Sequence, residues 1–245
     1  MNIKNKDRDL VLSKGKIEDY HHLSGKSLSK LKDYEGHILI TGASGWLGKA
    51  TLELLKVVCK DFPRNMACFG ATEKDIQLLD GTKIKQRKLS DLESYPRKQA
   101  NYLINLAFLT KERSIDLSKK EFIETNRYLS NFISQQALRI EVPNITTMSS
   151  GGVYSPDKNL VNNIDQDLYG FLKLEEESLF LRLSDSGSKI IVPRLFNVSG
   201  PHVYKHDIYM LPSFVYQALK GDKIIINSLI KVYRSFVSLA ELLSV

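Results

Sequence analysis

The stretch His37-Ile-Leu-Ile-Thr41, followed at once by Gly42-Ala-Ser-Gly45-Trp-Leu-Gly48, decides the fold. A short apolar run reads as a buried strand, and Lys49–Lys60 behind it reads as an amphipathic helix with Leu52, Leu54, Leu55, Val57 and Val58 on one face. Between them lies G-x-x-G-x-x-G. In a strand–turn–helix setting each glycine has a task. Gly42 makes the tight turn, Gly45 lets backbone approach a pyrophosphate, and Gly48 lets helix and strand pack closely. The helix N-terminus adds unpaired N–H groups and a positive dipole end for phosphates.

The same alternation continues outward. Further strands are expected at Met66–Phe69, Ile84–Leu89, Tyr102–Phe108, Ile145–Met148 and Lys189–Val192. Helices are expected at Glu121–Leu138, Asp165–Leu183 and Met210–Leu219. Strands separated by helices of this length pair in parallel, because each crossover returns the chain to the same edge. Near-continuous apolar strands fit a sheet covered on both faces. The expected fold is therefore α/β: a doubly wound parallel sheet, Rossmann-like, with a small and incomplete C-terminal substrate portion. Residues 1–36 form a helical or mobile extension, 37–194 the dinucleotide-binding domain, and 195–245 a partial substrate-binding portion.

Composition removes several classes. With 42% hydrophobic and 26% charged residues among 245, the chain can build a core. Cys59 and Cys68 are too few for a disulfide scaffold or a cysteine-rich zinc site. No apolar run approaches a membrane span, and the N-terminus has no apolar signal core, so a cytoplasmic location without membrane contact is expected. The net charge of +7 favours anionic ligands. The basic N-terminus is interrupted by Asp7, Asp9, Glu18 and Asp19 and has no aromatic platform, which argues against nucleic acid. His21, His22, His202, His206 and Asp207 lack further ligands at metal spacing, so no metal site is expected, and His202 after Pro201 is expected to shape the substrate loop.

Tyr169-Gly-Phe-Leu-Lys173 places a phenol and an ammonium on one helix face at i, i+4. Bringing a tyrosine from about 10 to about 7 takes roughly 3 units, or about 4 kcal/mol. An ammonium some 4–5 Å away supplies about 3–4 kcal/mol at an effective dielectric near 20. Such a pair can take a proton from a sugar hydroxyl while hydride leaves the carbon. Ser150 stands at the C-terminal end of the fifth expected strand, where doubly wound sheets place their ligand crevice. Its hydroxyl can bond the reacting oxygen; its plainer role is to form the turn before Gly151-Gly152. After the second strand, Gly70-Ala71-Thr72 replaces the usual ribose-binding carboxylate, with Lys74 nearby. That removes a repulsion against a 2′-phosphate and leans to NADP, while NAD stays open.

The segments ITGASGWLG (40–48), MSSGGVY (148–154), YGFLK (169–173), PRLFNVSGPH (193–202) and VYRSFVSLAEL (232–242) together resemble the extended branch of the short-chain dehydrogenase/reductase superfamily. That branch holds the NAD(P)-dependent nucleotide-sugar epimerases, dehydratases and reductases. The resemblance implies that Gly42, Ser44, Gly45, Trp46, Leu47 and Gly48 bind the dinucleotide. It implies that Asp91 and Leu92 hold the adenine, that Leu106, Ala107 and Phe108 flank the cofactor, and that Pro193 borders the nicotinamide. Ser150, Tyr169 and Lys173 match the catalytic set, with Tyr169 and Lys173 also touching cofactor. Ser150, Gly151, Asn197 and Arg234 would meet the substrate. A homodimer through the helices at 121–138 and 165–183 is a family-level expectation.

There are departures. Gly151 and Gly152 follow Ser150 where the 4,6-dehydratases carry an acid and a base, so water loss lacks its side chains. Phe108 is bulkier than the small residue usual there. The chain stops at Val245, so either the form is truncated or the site is unusually open. Two functions follow: an NAD(P)-dependent epimerase or reductase of a nucleotide sugar, or a non-catalytic dinucleotide-binding module.

Overall fold

The computed structural model describes residues 34–203, 208–226, 228 and 230–243. The extension expected at 1–36 lies outside these residues except for its last three, as do His21, His22, His206 and Asp207. In chain order the first half runs β1 (His37–Thr41), α1 (Trp46–Val58), β2 (Met66–Gly70), β3 (Lys74–Gln77), β4 (Lys83–Lys88) and β5 (Ala100–Asn105). Then follow α2 (Lys119–Ile140), β6 (Asn144–Thr147), β7 (Ser149–Ser150), α3 (Leu168–Leu181), β8 (Lys189–Ile191) and β9 (Arg194–Leu195). The chain continues through β10 (Val198–Ser199), α4 (Met210–Lys220), β11 (Val237–Ser238) and α5 (Leu239–Leu243).

Seven strands form one sheet in the order β3-β4-β2-β1-β5-β6-β8. All neighbours pair in parallel except β3, which runs antiparallel to β4. The six expected strands pair in parallel as read from the sequence, and β3, which was not expected, adds an antiparallel edge. The missed signal is Asp80-Gly81, a hairpin dipeptide, with Gly81 at φ 88. From β1 the chain winds one way to β2, then returns across it to β5 on the other side. That reversal opens a crevice at the carboxyl ends of β1 and β5.

Alternation along β1 feeds two cores. Ile38 and Ile40 join Leu52, Leu55, Val58 and Cys68 beneath α1, while Leu39 joins Leu103, Ile133, Ile145 and Phe180 beneath α2 and α3. Burial pushes the Cys59 thiol up to about 11 and the Cys68 thiol up to about 12, so both behave as small apolar groups. The outer strands are less apolar than expected: β4 alternates exposed and buried residues, and Ile191 on edge strand β8 is exposed.

Local chemistry sets the helix limits. Ser118 caps α2 and forms a reciprocal capping box with Glu121, so this helix begins two residues before the expected Glu121. Asp167 accepts the Gly170 N–H at 2.8 Å and starts α3 at Leu168, three residues later than expected. β5 ends at Asn105, not Phe108, because its partners β1 and β6 end opposite it at Thr41 and Thr147. Beyond β8 the elements are short: β9 pairs with β7, β10 with β11, and α4 buries none of its residues.

Ile133 on α2 is fully buried, whereas Leu138 on the same helix is exposed. Ile133→Ala should lower the unfolding free energy by about 2–5 kcal/mol, and Leu138→Ala by under about 1 kcal/mol. Urea unfolding followed by circular dichroism measures both; equal losses would contradict this packing.

Candidate active site

A cleft of about 470 Å³ lies at the carboxyl edge of the sheet. Its floor is the glycine turn, its far wall is β7 and the start of α3, and its rim comes from the C-terminal portion. The turn is shaped by close approach. Gly42 has φ +69, where L side chains are strained, and a Cβ there would stand 2.6 Å from the Leu106 carbonyl oxygen. A Cβ on Gly48 would stand 2.4 Å from the Ala43 carbonyl oxygen, so only glycine lets α1 start so close to β1. No side chain caps α1, whose N-cap is Gly45. Its first N–H groups therefore remain available at the cleft, the arrangement that binds phosphate.

Register builds the wall behind. Thr41, Asn105 and Thr147 end three adjacent strands opposite one another. Thr41 Oγ1 donates to Asn105 Oδ1 at 2.6 Å, and Asn105 Nδ2 donates to Thr147 Oγ1 at 2.9 Å and to Glu176 Oε1 at 3.1 Å. Glu176 Oε2 in turn accepts from Lys173 Nζ at 2.7 Å, and Lys173 also donates to the Met148 carbonyl at 2.7 Å. Lys173 and Glu176 are both buried. Burial pushes the Glu176 carboxyl up from its usual range, against the downward pull of Lys173 and Asn105. The ring of Phe108 lies over the ammonium, its centroid 3.8 Å from Nζ, and meets the Tyr169 ring edge-on at 5.8 Å.

One turn further along α3, Glu177 accepts two bonds from the Arg194 guanidinium at 2.9 and 2.6 Å. The Ser149 hydroxyl also donates to Glu177. This fork ties α3 to β7 and β9 and so fixes Ser150. Ser150 Oγ accepts the Gly152 N–H at 3.0 Å, which is its turn-forming role. The hydroxyl proton remains available to a partner in the cleft.

Of the residues singled out from sequence, Gly42, Gly45, Trp46, Leu47, Gly48, Leu106, Phe108, Ser150, Tyr169, Lys173 and Asn197 line this one cleft. The others do not. Ser44 donates its N–H to Gln86 Oε1 beside the turn. The Leu92 side chain is buried in the core, and Asp91 sits on a short 3-10 turn beside it. Ala107 packs against the core beneath α2 and α3, and the Pro193 carbonyl accepts the Ser149 N–H. Gly151 lies under the Phe196 ring, 2.4 Å from where a Cβ would be. Arg234 is exposed; in its segment Phe236 lines the cleft instead, held by Asn197, whose Nδ2 donates to the Ser235 carbonyl at 3.0 Å.

Sequence reasoning missed Asn105, Glu176, Glu177, Arg194 and Gln86. Glu176 and Glu177 were readable at three and four residues after Lys173, on the same helix face. Gln86 carries no such signal. It is buried, donates to the Thr72 carbonyl at 2.7 Å, and fills the space above Gly70 at the end of β2. Among the described residues no three His, Cys, Asp or Glu side chains group as a metal set. Nor is any described helix long and apolar enough to cross a membrane.

His202, expected to shape the substrate loop, meets Glu53 of α1 at 2.7 Å, and Glu53 also accepts the Leu79 N–H at 2.6 Å. Trp46 Nε1 donates to the Pro201 carbonyl at 2.8 Å and its ring stacks at a tilt on Tyr209, 5.4 Å away. These contacts clamp the Pro201-His202 turn against α1.

Residues 38–244 match the family model described as NAD dependent epimerase/dehydratase family, and the chain belongs to that family. Among solved structures it is similar to a UDP-N-acetylglucosamine 4-epimerase from Methanobrevibacter ruminantium M1 in complex with UDP-N-acetylmuramic acid. The identity is 18% and the TM-score 0.67, over 84% of this chain and 70% of that one. It is also similar to a GDP-L-fucose synthetase from Naegleria fowleri bound to NADP (17%, TM-score 0.57, 84% and 70%). A third is the Bordetella bronchiseptica enzyme WbmG in complex with NAD and UDP (16%, TM-score 0.60, 86% and 68%). At these identities the likeness concerns the fold. No curated protein sequence matches significantly.

The Glu53 contact generates a pH dependence. Burial raises the Glu53 carboxyl, but bonds from His202 and the Leu79 N–H, with the charges of His202 and Lys56, outweigh it and hold it below the usual 4.5. A carboxyl lowered on folding contributes stability above its unfolded value and loses it as pH falls through the folded value. Glu53→Gln should therefore be less stable than the parent at neutral pH, with the gap closing as pH falls below about 4.5. Melting temperatures across this range measure it; a constant gap would contradict the contact.

Proposed function

We propose that the chain is an epimerase or reductase that uses a nicotinamide dinucleotide to move hydride at a sugar carbon of a nucleotide sugar. The observation that carries this reading is the convergence of Ser150, Tyr169 and Lys173 on the cleft floored by the glycine turn. The turn suits a dinucleotide: its glycines leave no side chain in the way, and the uncapped start of α1 offers N–H donors to a pyrophosphate. Gly42, Gly45, Trp46, Leu47 and Gly48 would hold it, with Leu106 and Phe108 alongside. When bound, the nicotinamide supplies the hydride acceptor and donor.

The remaining chemistry belongs to the chain. Tyr169 takes the proton from the sugar hydroxyl as hydride departs and returns it in the reverse step. Ser150 donates to the reacting oxygen and holds it beside the phenol. Lys173 would orient the phenol and hold the nicotinamide ribose. Asn197 and Phe236 border the substrate end. The paired relatives support the substrate class, since their bound ligands include UDP and UDP-N-acetylmuramic acid. NAD is bound in one and NADP in another. At the end of β2 Gln86 stands over Gly70 where a carboxylate would repel a 2′-phosphate, so both cofactors remain in the test.

A second reading, a dinucleotide-binding module without turnover, rests on one feature. The Lys173 ammonium is already engaged by Met148, Glu176 and the Phe108 ring.

A panel of nucleotide sugars with NAD or NADP decides. Cofactor consumption indicates a reductase; a changed sugar without consumption indicates an epimerase; neither, with tight dinucleotide binding, indicates the module. Tyr169→Phe should reduce turnover by about 100-fold or more while dinucleotide affinity stays within a few fold. Retained turnover would remove Tyr169 from the chemistry.

A further inference from the structure

Lys173 is not a lone cation. Its ammonium donates to Glu176 Oε2 and to the Met148 carbonyl, both at 2.7 Å, and the Phe108 ring covers it. Glu176 has both oxygens against donors, Lys173 on one and Asn105 Nδ2 on the other. Asn105 is fixed in turn: its Oδ1 accepts from Thr41, and its Nδ2 also donates to Thr147. Each oxygen of this carboxyl thus faces a donor, one of them an ammonium, and the two donors pull the carboxyl down against the burial that pushes it up.

The other charges on α3 are matched elsewhere. Glu175 pairs with Arg127 of α2, Glu177 with Arg194 of β9, and Asp167 with Lys111. On the turn after α3, Arg182 and Asp185 stand at the surface, and the turn at 151–153 brings no titratable group. Lys111, which shares a hollow with Tyr169, is the cation paired with Asp167, and Glu176 is the carboxylate paired with Lys173.

We propose that Glu176 is a positioning residue that seats the Lys173 ammonium on the Met148 carbonyl and cancels most of its charge, so that Lys173 acts on Tyr169 as half of a neutral pair. This rests on the reading of Tyr169 and Lys173 given above and adds a member to it. Lys173 then serves mainly by placement, and a bound oxidised nicotinamide would supply the positive charge that promotes phenol ionisation. Proton removal is thereby coupled to the presence of the oxidised cofactor.

The test is the alkaline titration of tyrosinate absorbance in the protein without ligands. Each variant is read against its Tyr169→Phe counterpart, so that one step is isolated from the 11 tyrosines. In Glu176→Gln the step owed to Tyr169 should move to lower pH by about one unit or more, because the ammonium is no longer cancelled. Glu176→Asp should return it toward the parent position. If Glu176→Gln does not fold, the double variant Lys173→Met/Glu176→Gln replaces a neutral pair by neutral groups. Its step should lie within about half a unit of the parent. An unmoved step in Glu176→Gln, or a displacement of more than one unit in the double variant, would overturn the proposal. The titration needs no substrate, so absence of turnover on every nucleotide sugar would sink the functional reading and leave this result standing. Where turnover is found, the acid limb of its pH profile should move with the titration.

Discussion

Three parallel strands end at the same level, and the polar groups exposed there must be satisfied within the protein. Thr41, Asn105 and Thr147 meet that requirement as one row, and Asn105 uses both its donors and its acceptor in doing so. The donor left over at the edge of this row selects Glu176, and Glu176 selects Lys173. A site that looks like a catalytic lysine is thus the outer end of a buried network anchored in the sheet. Removing one partner of such a buried pair typically costs about 3–5 kcal/mol, because the other charge is left uncompensated. The position of Lys173 and the closure of the sheet edge are therefore the same problem.

A second fork, Glu177 with Arg194 and Ser149, holds the neighbouring strand and brings Ser150 to the cleft. The two carboxylates are adjacent in sequence but do separate work. One faces the sheet interior and compensates a lysine; the other faces the β7–β9 pair and grips an arginine. Opposite them the glycine turn presents bare N–H groups with no side-chain cap. The cleft therefore has one end made of bare backbone and another made of polar side chains. The Trp46–Pro201 and Glu53–His202 contacts draw the C-terminal portion over the start of α1, between the two.

The alternation of strands and helices, the parallel pairing of the central strands and the place of the glycine turn were legible because each depends on local patterning. β1 alternates toward two cores, Gly42 and Gly48 sit where a side chain would collide with backbone, and the crossovers are long enough for helices. Errors fell where local signals compete with pairing. β5 stops at Asn105 although apolar residues continue, since hydrogen-bond partners run out. The β3–β4 hairpin escaped because its strands are charged and exposed, and their only apolar residues are Ile76 and Ile84.

The amino-acid sequence by itself determined the fold family and the place of the glycine turn, and it singled out Ser150, Tyr169 and Lys173, which line one cleft, because spacing on one strand, turn or helix dictates which groups share a face. Only the tertiary structure decided how those groups are paired and supported. The partners of Lys173 come from three separate segments, at 108, 148 and 176, and Glu176 is held by Asn105, 71 residues away. Electrostatics depends on distance through space, and that distance is created when strands align in register and the helix packs across them.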